Sequence, residues 1–428
     1  MRCGQARPRC MTDSRRLSGA GLLRALRDAR ERTLAWATDL SPAQWQVPQR
    51  PGINPLAWEL AHIAWFAEFW VLRGPHRMGA NGTVRATKPP LHAGPDALLD
   101  SSLLPHAQRW QAPLPQRAEV LRMLAAQLAA CTATVPMTDA GDDGEGDDRS
   151  VDPALYFHRL ALFHEDMHGE ALAWLRAALG YPAPAGVTLP RLGPPSSLAV
   201  RGGGVHIGAP VAARGFSFDN EQHGLDLCLA DFEIDTRPVS AGEYRRFVEA
   251  GGYDDPSHWP GPAGAWRATA GRGNRGSHPE RWRRSAPGRP GQELQDWEVC
   301  WFDRWLPLDP AQPVIHVNAF EAEAYCRWAG RQLPSAAQWE HAAQQHSGTG
   351  FTWGGSVWEW TRDAFAPYPD FAPGPYADYS APWFHTHREL RGGAFATHPR
   401  MHDRRYRNFF TPERCDVFAG FRTVAPGP

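Results

Sequence analysis

The stretch LFHEDMHGEAL, residues 162–172, decides how this chain is read. It lies inside a longer run, DPALYFHRLALFHEDMHGEALAWLRAALG (152–180), whose Leu, Phe, Ala and Trp recur at three- and four-residue spacing, the period of a helix with one apolar face. His164 and His168 stand one turn apart, offset by about 40° around the axis, so both imidazoles project from one face and can share one ion. Histidine is a middling helix former, and nothing else in the run calls for two of them. Glu170 falls on a different face from His164. It is expected to orient a ligand through a hydrogen bond rather than to bind a metal itself.

A third ligand is expected from WELAHIAWFAEFW (58–70), where His62 sits in a strongly apolar helix. A buried imidazole without a partner is costly, and a lone core histidine ordinarily bonds a carbonyl. Two histidines at i and i+4 plus a third on a neighbouring helix point to metal. Three-histidine sites leave positions open for substrate, as catalytic sites do. Neutral nitrogen ligands suit zinc and iron alike, so the residues by themselves leave the metal open.

Outward from these helices the chain divides in texture. Residues 15–180 contain four segments of helical period: 19–40, 54–74, 116–135 and 152–180. These predict a four-helix bundle. Asn54 and Asp152 each precede a proline and an apolar run, the pattern of an N-cap with Pro at the first helical position. The acidic stretch DAGDDGEGDD (139–148) reads as a solvated loop between the third and fourth helices. Residues 1–14 read as a disordered tail with no apolar stretch of a secretory signal, and Met11 is an alternative start. From YPAPAGVTLPRLGPPSSL (181–198) onward, proline and glycine mark a linker over 181–196. A second domain over 197–428 follows, with short strands, long loops and helices at AGEYRRFVEAG (241–251) and within 318–346. The fold class expected is therefore α+β.

The bulk numbers narrow the function. With 45 basic and 46 acidic residues the chain has no net field to draw it to nucleic acid or a membrane. No apolar run approaches the roughly 20 residues of a membrane span. Seven scattered cysteines without a CxxC pair fit a reduced, cytoplasmic protein better than a disulfide scaffold or a structural zinc site. The 19 tryptophans read chiefly as large aromatic cores, with a few available to line a pocket.

HIAWFAEFW (62–70) together with HEDMHGEAL (164–172) resembles the DinB-like bundle of the ergothioneine-type sulfoxide synthases. The motifs VRGGGVHIGAP, FDNEQHG, DFEIDTRPVSAGEYRRFVEAGGY, GRQLPSAAQWEHAA, GSVWEWT, LRGGAFAT and FAGFR follow in the order of the domain shared with formylglycine-generating enzymes, a C-type-lectin-like fold. A formylglycine-generating enzyme needs two closely spaced cysteines near its C-terminus, and Cys415 stands without one. The resemblance implies a non-haem Fe(II) centre at His62, His164 and His168, with O2 and hercynine, the trimethylated histidine, as reactants.

It also implies roles for RNFFTPER (407–414) as the active-site loop. Asn408 and Phe409 match positions that hold hercynine; an aromatic face suits a quaternary ammonium, which cannot donate a hydrogen bond. Members that use γ-glutamylcysteine carry an acidic residue where Phe410 stands and a glutamine where Met167 stands. Arg414 remains at a donor-binding position. Tyr376 and Tyr379 lie in the region of the family's proton donor, a role that at most one of them takes. The segment DALLDSSLLPHAQRW (96–110) resembles the selenoneine synthase branch, which takes selenium from a selenosugar. A selenosugar is therefore the expected donor, with cysteine or γ-glutamylcysteine as the alternative, and a metal-dependent thiol S-transferase as a further one.

Overall fold

The computed structural model describes residues 13–79, 83–137, 155–210, 215–270, 277–285, 297–346 and 348–427. The residues 1–12 of the expected tail, the acidic stretch 139–148 and the cap expected at Asp152 lie outside them. By internal contacts the chain forms two units: residues 1–34, 55–166 and 212–217 in the first, and 35–54, 167–211 and 218–428 in the second.

The first unit is helical. Its long helices are α1 (Gly19–Ala35), α2 (Leu56–Leu72), α4 (Arg117–Ala133) and the first half of α5 (Tyr156–Leu179). Between α2 and α4 lie a small antiparallel ribbon, β1 (His76–Met78) with β2 (Val84–Ala86), and the short helix α3 (Asp96–Leu99). On α1 the residues Leu22, Leu26 and Ala29 follow the i, i+4, i+7 stripe and pack with Leu155 and Leu162. α2 is buried on almost every side from Leu56 to Trp70, the state expected of a helix that is apolar all round. The helix begins one residue later than the sequence pattern suggests. Pro55 itself is the N-cap, whose ring makes no capping bond, and its carbonyl takes the Glu59 amide at 3.0 Å.

One ionic tie crosses this bundle. Arg30 on α1 meets Glu165 on α5 at 2.7 Å and Gln127 on α4 at 2.7 Å, all three nearly without solvent access. A guanidinium so deeply placed needs several acceptors, and here it also reaches the Leu124 carbonyl. The segment 215–217 joins this unit because Phe216 exchanges backbone contact with Arg15: its amide donates to the Arg15 carbonyl at 2.8 Å. Gly215 (φ +92°) permits the approach, since a Cβ there would lie 2.7 Å from that carbonyl oxygen.

The second unit mixes short strands and helices. In chain order it holds β3 (Ser197–Val200), β4 (Gly203–Ile207), β5 (Leu225–Leu229), β6 (Phe232–Asp235), α6 (Ala241–Glu249), α7 (Pro262–Ala270), β7 (Trp282–Arg284), β8 (Trp297–Trp301), β9 (Arg304–Pro307), α8 (Ala319–Trp328), α9 (Ala336–His346), β10 (Trp358–Ala364), β11 (Arg388–Gly392), β12 (Asn408–Phe410) and β13 (Ala419–Gly420). Its largest sheet among the described residues has the order β12-β11-β10-β13, antiparallel except for the parallel pair β10–β13. The two helical stretches read from the sequence are α6 and the pair α8 and α9. α6 and α8 start with reciprocal caps: Ser240 with Glu243, and Asn318 with Glu321.

Several tryptophans answer the question raised by the composition: they are buried, and their indole N–H groups find acceptors. Trp339 donates to Glu359, Trp360 to the Val317 carbonyl and Trp259 to the Gly252 carbonyl. Glu359, fully buried on β10, is paired with the equally buried Arg422, whose Nη2 lies 2.7 Å from Oε1. The five described cysteines, Cys131, Cys228, Cys300, Cys326 and Cys415, are not disulfide-bonded. Among the described residues no helix is long and apolar enough to cross a membrane.

Replacing Arg422 by Met would leave Glu359 as a buried charge without its counter-ion. A loss of about 3–5 kcal/mol is expected, read as a lower midpoint in denaturant unfolding of the full chain. Arg304→Met removes an exposed arginine near Asp303 and should change stability by less than about 1 kcal/mol.

Candidate metal centre and substrate-facing residues

α2 and α5 bring His62, His164 and His168 together, and one ring nitrogen of each lies within 4.8 Å of the others. That is close to the span of about 4 Å that two bonds of about 2.1 Å to one ion can bridge. The three could hold a metal ion. His62 and His164 are each 2% exposed, whereas His168 is half-buried along with its neighbours Met167 and Gly169.

Each buried ring is fixed by its surroundings. His62 Nδ1 lies 2.6 Å from the Leu99 carbonyl. A carbonyl only accepts, so Nδ1 carries the proton and Nε2 keeps a lone pair. Trp58, one turn before His62, stacks on its imidazole at 4.7 Å and 10°. Phe66 stacks on His164 at 3.5 Å and 3°. Imidazole nitrogens suit zinc and iron alike.

Glu170 does not point to solvent. Its carboxylate accepts the indole N–H of Trp358 at 2.6 Å and the Thr397 hydroxyl at 2.7 Å, all within the second unit. These partners come from GSVWEWT and LRGGAFAT, motifs far apart in the sequence.

The two tyrosines are now distinguishable. Tyr379 Oη lies 3.6 Å from the Met167 sulfur, next in sequence to His168, and 3.2 Å from the Tyr406 hydroxyl. Phe218 stacks on its ring at 4.6 Å. Desolvation, reinforced by the neighbouring Tyr406 phenol, pushes its pKa well above the ordinary tyrosine range, so it keeps its proton at neutral pH. Tyr376 packs against Tyr379 at 5.9 Å. The turn carrying Tyr379 is pinned by the next residue: Ser380 donates to Asp219 at 2.5 Å and accepts from Asn220 at 3.0 Å.

Asn408, Phe409 and Phe410 form β12, an edge strand on β11. Strand alternation sends neighbouring side chains to opposite faces. Phe409 stacks on Phe365 at 4.1 Å and meets Tyr379 edge-on at 5.9 Å. Phe410 meets Trp174 of α5 edge-on at 5.6 Å, and the Arg414 guanidinium lies over it at 4.7 Å. Arg414 is itself held by Asp416 through two contacts, at 2.8 and 3.1 Å, and donates to the Gly52 carbonyl. The adjacent phenylalanines thus belong to two separate clusters.

Sequence reasoning did not single out the Leu99 carbonyl, Trp58, Phe66, Trp358, Thr397 or Tyr406. Trp58 and Phe66 carried a usable signal, since they flank His62 at i−4 and i+4. The others are set by the folded chain alone.

Residues 25–172 match the DinB superfamily, and residues 185–356 and 351–426 match the sulfatase-modifying factor enzyme 1-like domain. The chain is 29% identical to a hercynine oxygenase of Mycolicibacterium thermoresistibile, covering 96% of this chain and 97% of that protein. It is 30% identical to a hercynine oxygenase of Mycobacterium tuberculosis over 92% of this chain and 96% of that protein. A formylglycine-generating enzyme of Thermomonospora curvata is 26% identical but aligns with only 49% of this chain. The formylglycine-generating enzyme thus aligns with about half of this chain, while the hercynine oxygenases align with nearly all of it. On both counts the chain is an enzyme and belongs to the family of the hercynine oxygenases, the ergothioneine-type sulfoxide synthases.

Proposed function

We propose that the enzyme is a non-haem iron(II), O2-dependent synthase that joins selenium from a selenosugar to the imidazole C2 of hercynine. The observation that carries the reading is the convergence of His62, His164 and His168 on one point with a partly exposed edge. Iron(II) held by these three imidazoles would supply the activation of O2 that an unreactive imidazole carbon needs. The acceptor follows from the relatives, which are hercynine oxygenases.

In this reading the chain's own residues do the following. Phe409 offers an aromatic face to the trimethylammonium group, and Asn408 offers an amide to the carboxylate. Tyr379, protonated and beside Met167, holds the proton at its Oη for delivery. Glu170, fixed by Trp358 and Thr397, steadies the second half of α5. The Phe410 cluster supports a donor without extra charges. Phe410 offers no carboxylate for the ammonium of a dipeptide, and the Arg414 charge is already matched by Asp416. A sugar ring, by contrast, can lie against an apolar face.

Each of His62→Ala, His164→Ala and His168→Ala should abolish iron loading and turnover while the circular dichroism spectrum stays that of a folded protein. Near-normal iron content in any one variant removes that residue from the ligand set. If zinc is the native and active metal of anaerobically purified enzyme, the thiol S-transferase reading replaces this one.

Tyr379→Phe is expected to lower turnover by roughly 10²–10⁴-fold, the range for loss of a positioned proton donor. Tyr376→Phe should stay near the native rate. The opposite ranking in a steady-state assay would transfer the role to Tyr376.

The donor is tested by aerobic competition among selenosugar, cysteine and γ-glutamylcysteine at equal concentrations with hercynine and iron(II), read by mass spectrometry. The selenium product should dominate. Phe410→Asp should then raise dipeptide use by roughly tenfold or more, as restoring a charged hydrogen bond of about 1.5–3 kcal/mol implies. A dominant sulfur product from the native enzyme would assign it sulfur chemistry instead.

A further inference from the structure

The segment from Lys88 to Arg109 is fastened at successive points to α2 and to Arg73, the residue that caps its C-terminus. At its start Glu68 accepts the backbone N–H groups of Leu91, His92 and Ala93 at 2.9, 2.7 and 3.1 Å. Next, Arg73 grips the Asp96 carboxylate with both terminal nitrogens, at 2.6 and 2.9 Å, and takes the Lys88 carbonyl through Nε at 3.0 Å. Asp96 also accepts the Trp65 indole N–H at 2.8 Å. One turn on, the Leu98 carbonyl accepts the Trp58 indole N–H at 2.9 Å, and the Leu99 carbonyl meets His62 Nδ1 at 2.6 Å. Finally the Arg109 guanidinium lies over the Trp58 ring at 3.7 Å.

Trp58, His62 and Trp65 lie on one face of α2, at spacings of four and three. The segment therefore reads that face with a carbonyl, a carbonyl and a carboxylate in turn. The central contact is the one that chooses the imidazole tautomer. The Leu99 carbonyl cannot meet Nδ1 unless α3 is held at this height on α2, and Asp96 is the charged group of α3 that holds it there.

We infer that the Asp96–Arg73 pair is a positioning device for His62: it locks α3 against α2 so that the Leu99 carbonyl keeps the proton on Nδ1 and presents Nε2 to the metal. The inference rests on the metal reading given above. It goes beyond that reading in assigning the presentation of a ligand nitrogen to an ion pair whose members are not ligands. Outer partners of metal-bound histidines set ring orientation and basicity, and their loss weakens metal binding by roughly 10–100-fold. Asp96 and Arg73 are therefore positioning residues that act through Leu99.

The test uses the full-length protein in two measurements. In the metal-free state, nitrogen NMR of histidine-labelled protein reads the tautomer of His62, assigned by its absence in His62→Ala. The native protein should show the Nδ1–H form; Asp96→Ala and Arg73→Lys should show a mixture or the Nε2–H form while the circular dichroism spectrum stays that of a folded protein, and the midpoint of unfolding should fall because the partly buried Arg73–Asp96 pair is broken or loosened. In the second, titration with Co(II) should give roughly 10–100-fold weaker binding and an altered visible spectrum in both variants. Asp96→Asn, which keeps the shape and an acceptor, should fall between. Ser102→Ala, on the exposed part of the segment, should match the native protein in both. A native tautomer and native Co(II) affinity in Asp96→Ala overturn the inference. If Asp96→Ala does not fold, the same result in Asp96→Asn and Arg73→Lys overturns it. Failure of the native protein to bind Co(II), with the tautomer changed in the variants, overturns the metal reading but not the role of the pair in fixing His62.

Discussion

A buried imidazole has two nitrogens, and both need a use. That constraint governs the helical unit. The Leu99 carbonyl takes the Nδ1 proton of His62, and one nitrogen of its ring lies within 4.8 Å of those of His164 and His168. Without such an outer partner, the rings would be free to turn or to exchange tautomer, and a cluster of three donors would not be a site. The aromatic neighbours serve the same end by a different force. Trp58 and Phe66 lie flat on His62 and His164, so that ring rotation would open gaps in a packed interior. The apolar character of α2, which alone would mark an ordinary core helix, is what makes the His62 geometry rigid.

The second unit meets a related problem with charges. Its long loops and short strands are joined by buried ion pairs: Glu359 with Arg422, Glu340 with Arg391, and Glu389 with Arg391 and Arg407. Arg391 and Arg407 have their pKa values raised by these carboxylates against the cost of burial, so both stay charged. Such pairs contribute little net stability compared with apolar packing, but breaking one leaves a bare charge in a low dielectric. They therefore fix which loop meets which strand. Arg407 leads directly into β12 and also donates to the carbonyls of Asn220 and Ala366, so the strand that carries Asn408, Phe409 and Phe410 is anchored at the residue that precedes it.

The alternation along β12 gives this strand two faces. Phe409 joins the Tyr379 and Phe365 rings, and Phe410 joins Trp174 and Arg414. A single residue of slippage would exchange the two. Adjacent phenylalanines therefore sit in different surroundings without competing for one space.

The sequence by itself determined the two-part architecture and singled out the three histidines that the fold brings together, because both depend on periodicity and spacing. Two histidines at i and i+4 share a face whatever else the chain does, and an apolar helix with one histidine announces a buried imidazole. Other features were decided only in the tertiary structure. Nothing local in DALLDSSLLPHAQRW says that the Leu99 carbonyl ends at His62 Nδ1, because any backbone carbonyl is chemically the same acceptor until folding places it. Likewise Tyr376 and Tyr379 are equivalent as sequence, and only the Asp219–Ser380–Asn220 bonds and the contact with Met167 set Tyr379 apart. Long-range partners such as Trp358 and Thr397 on Glu170 are separated from it by about half the chain, and their meeting depends on the closure of loops that no short window of sequence encodes.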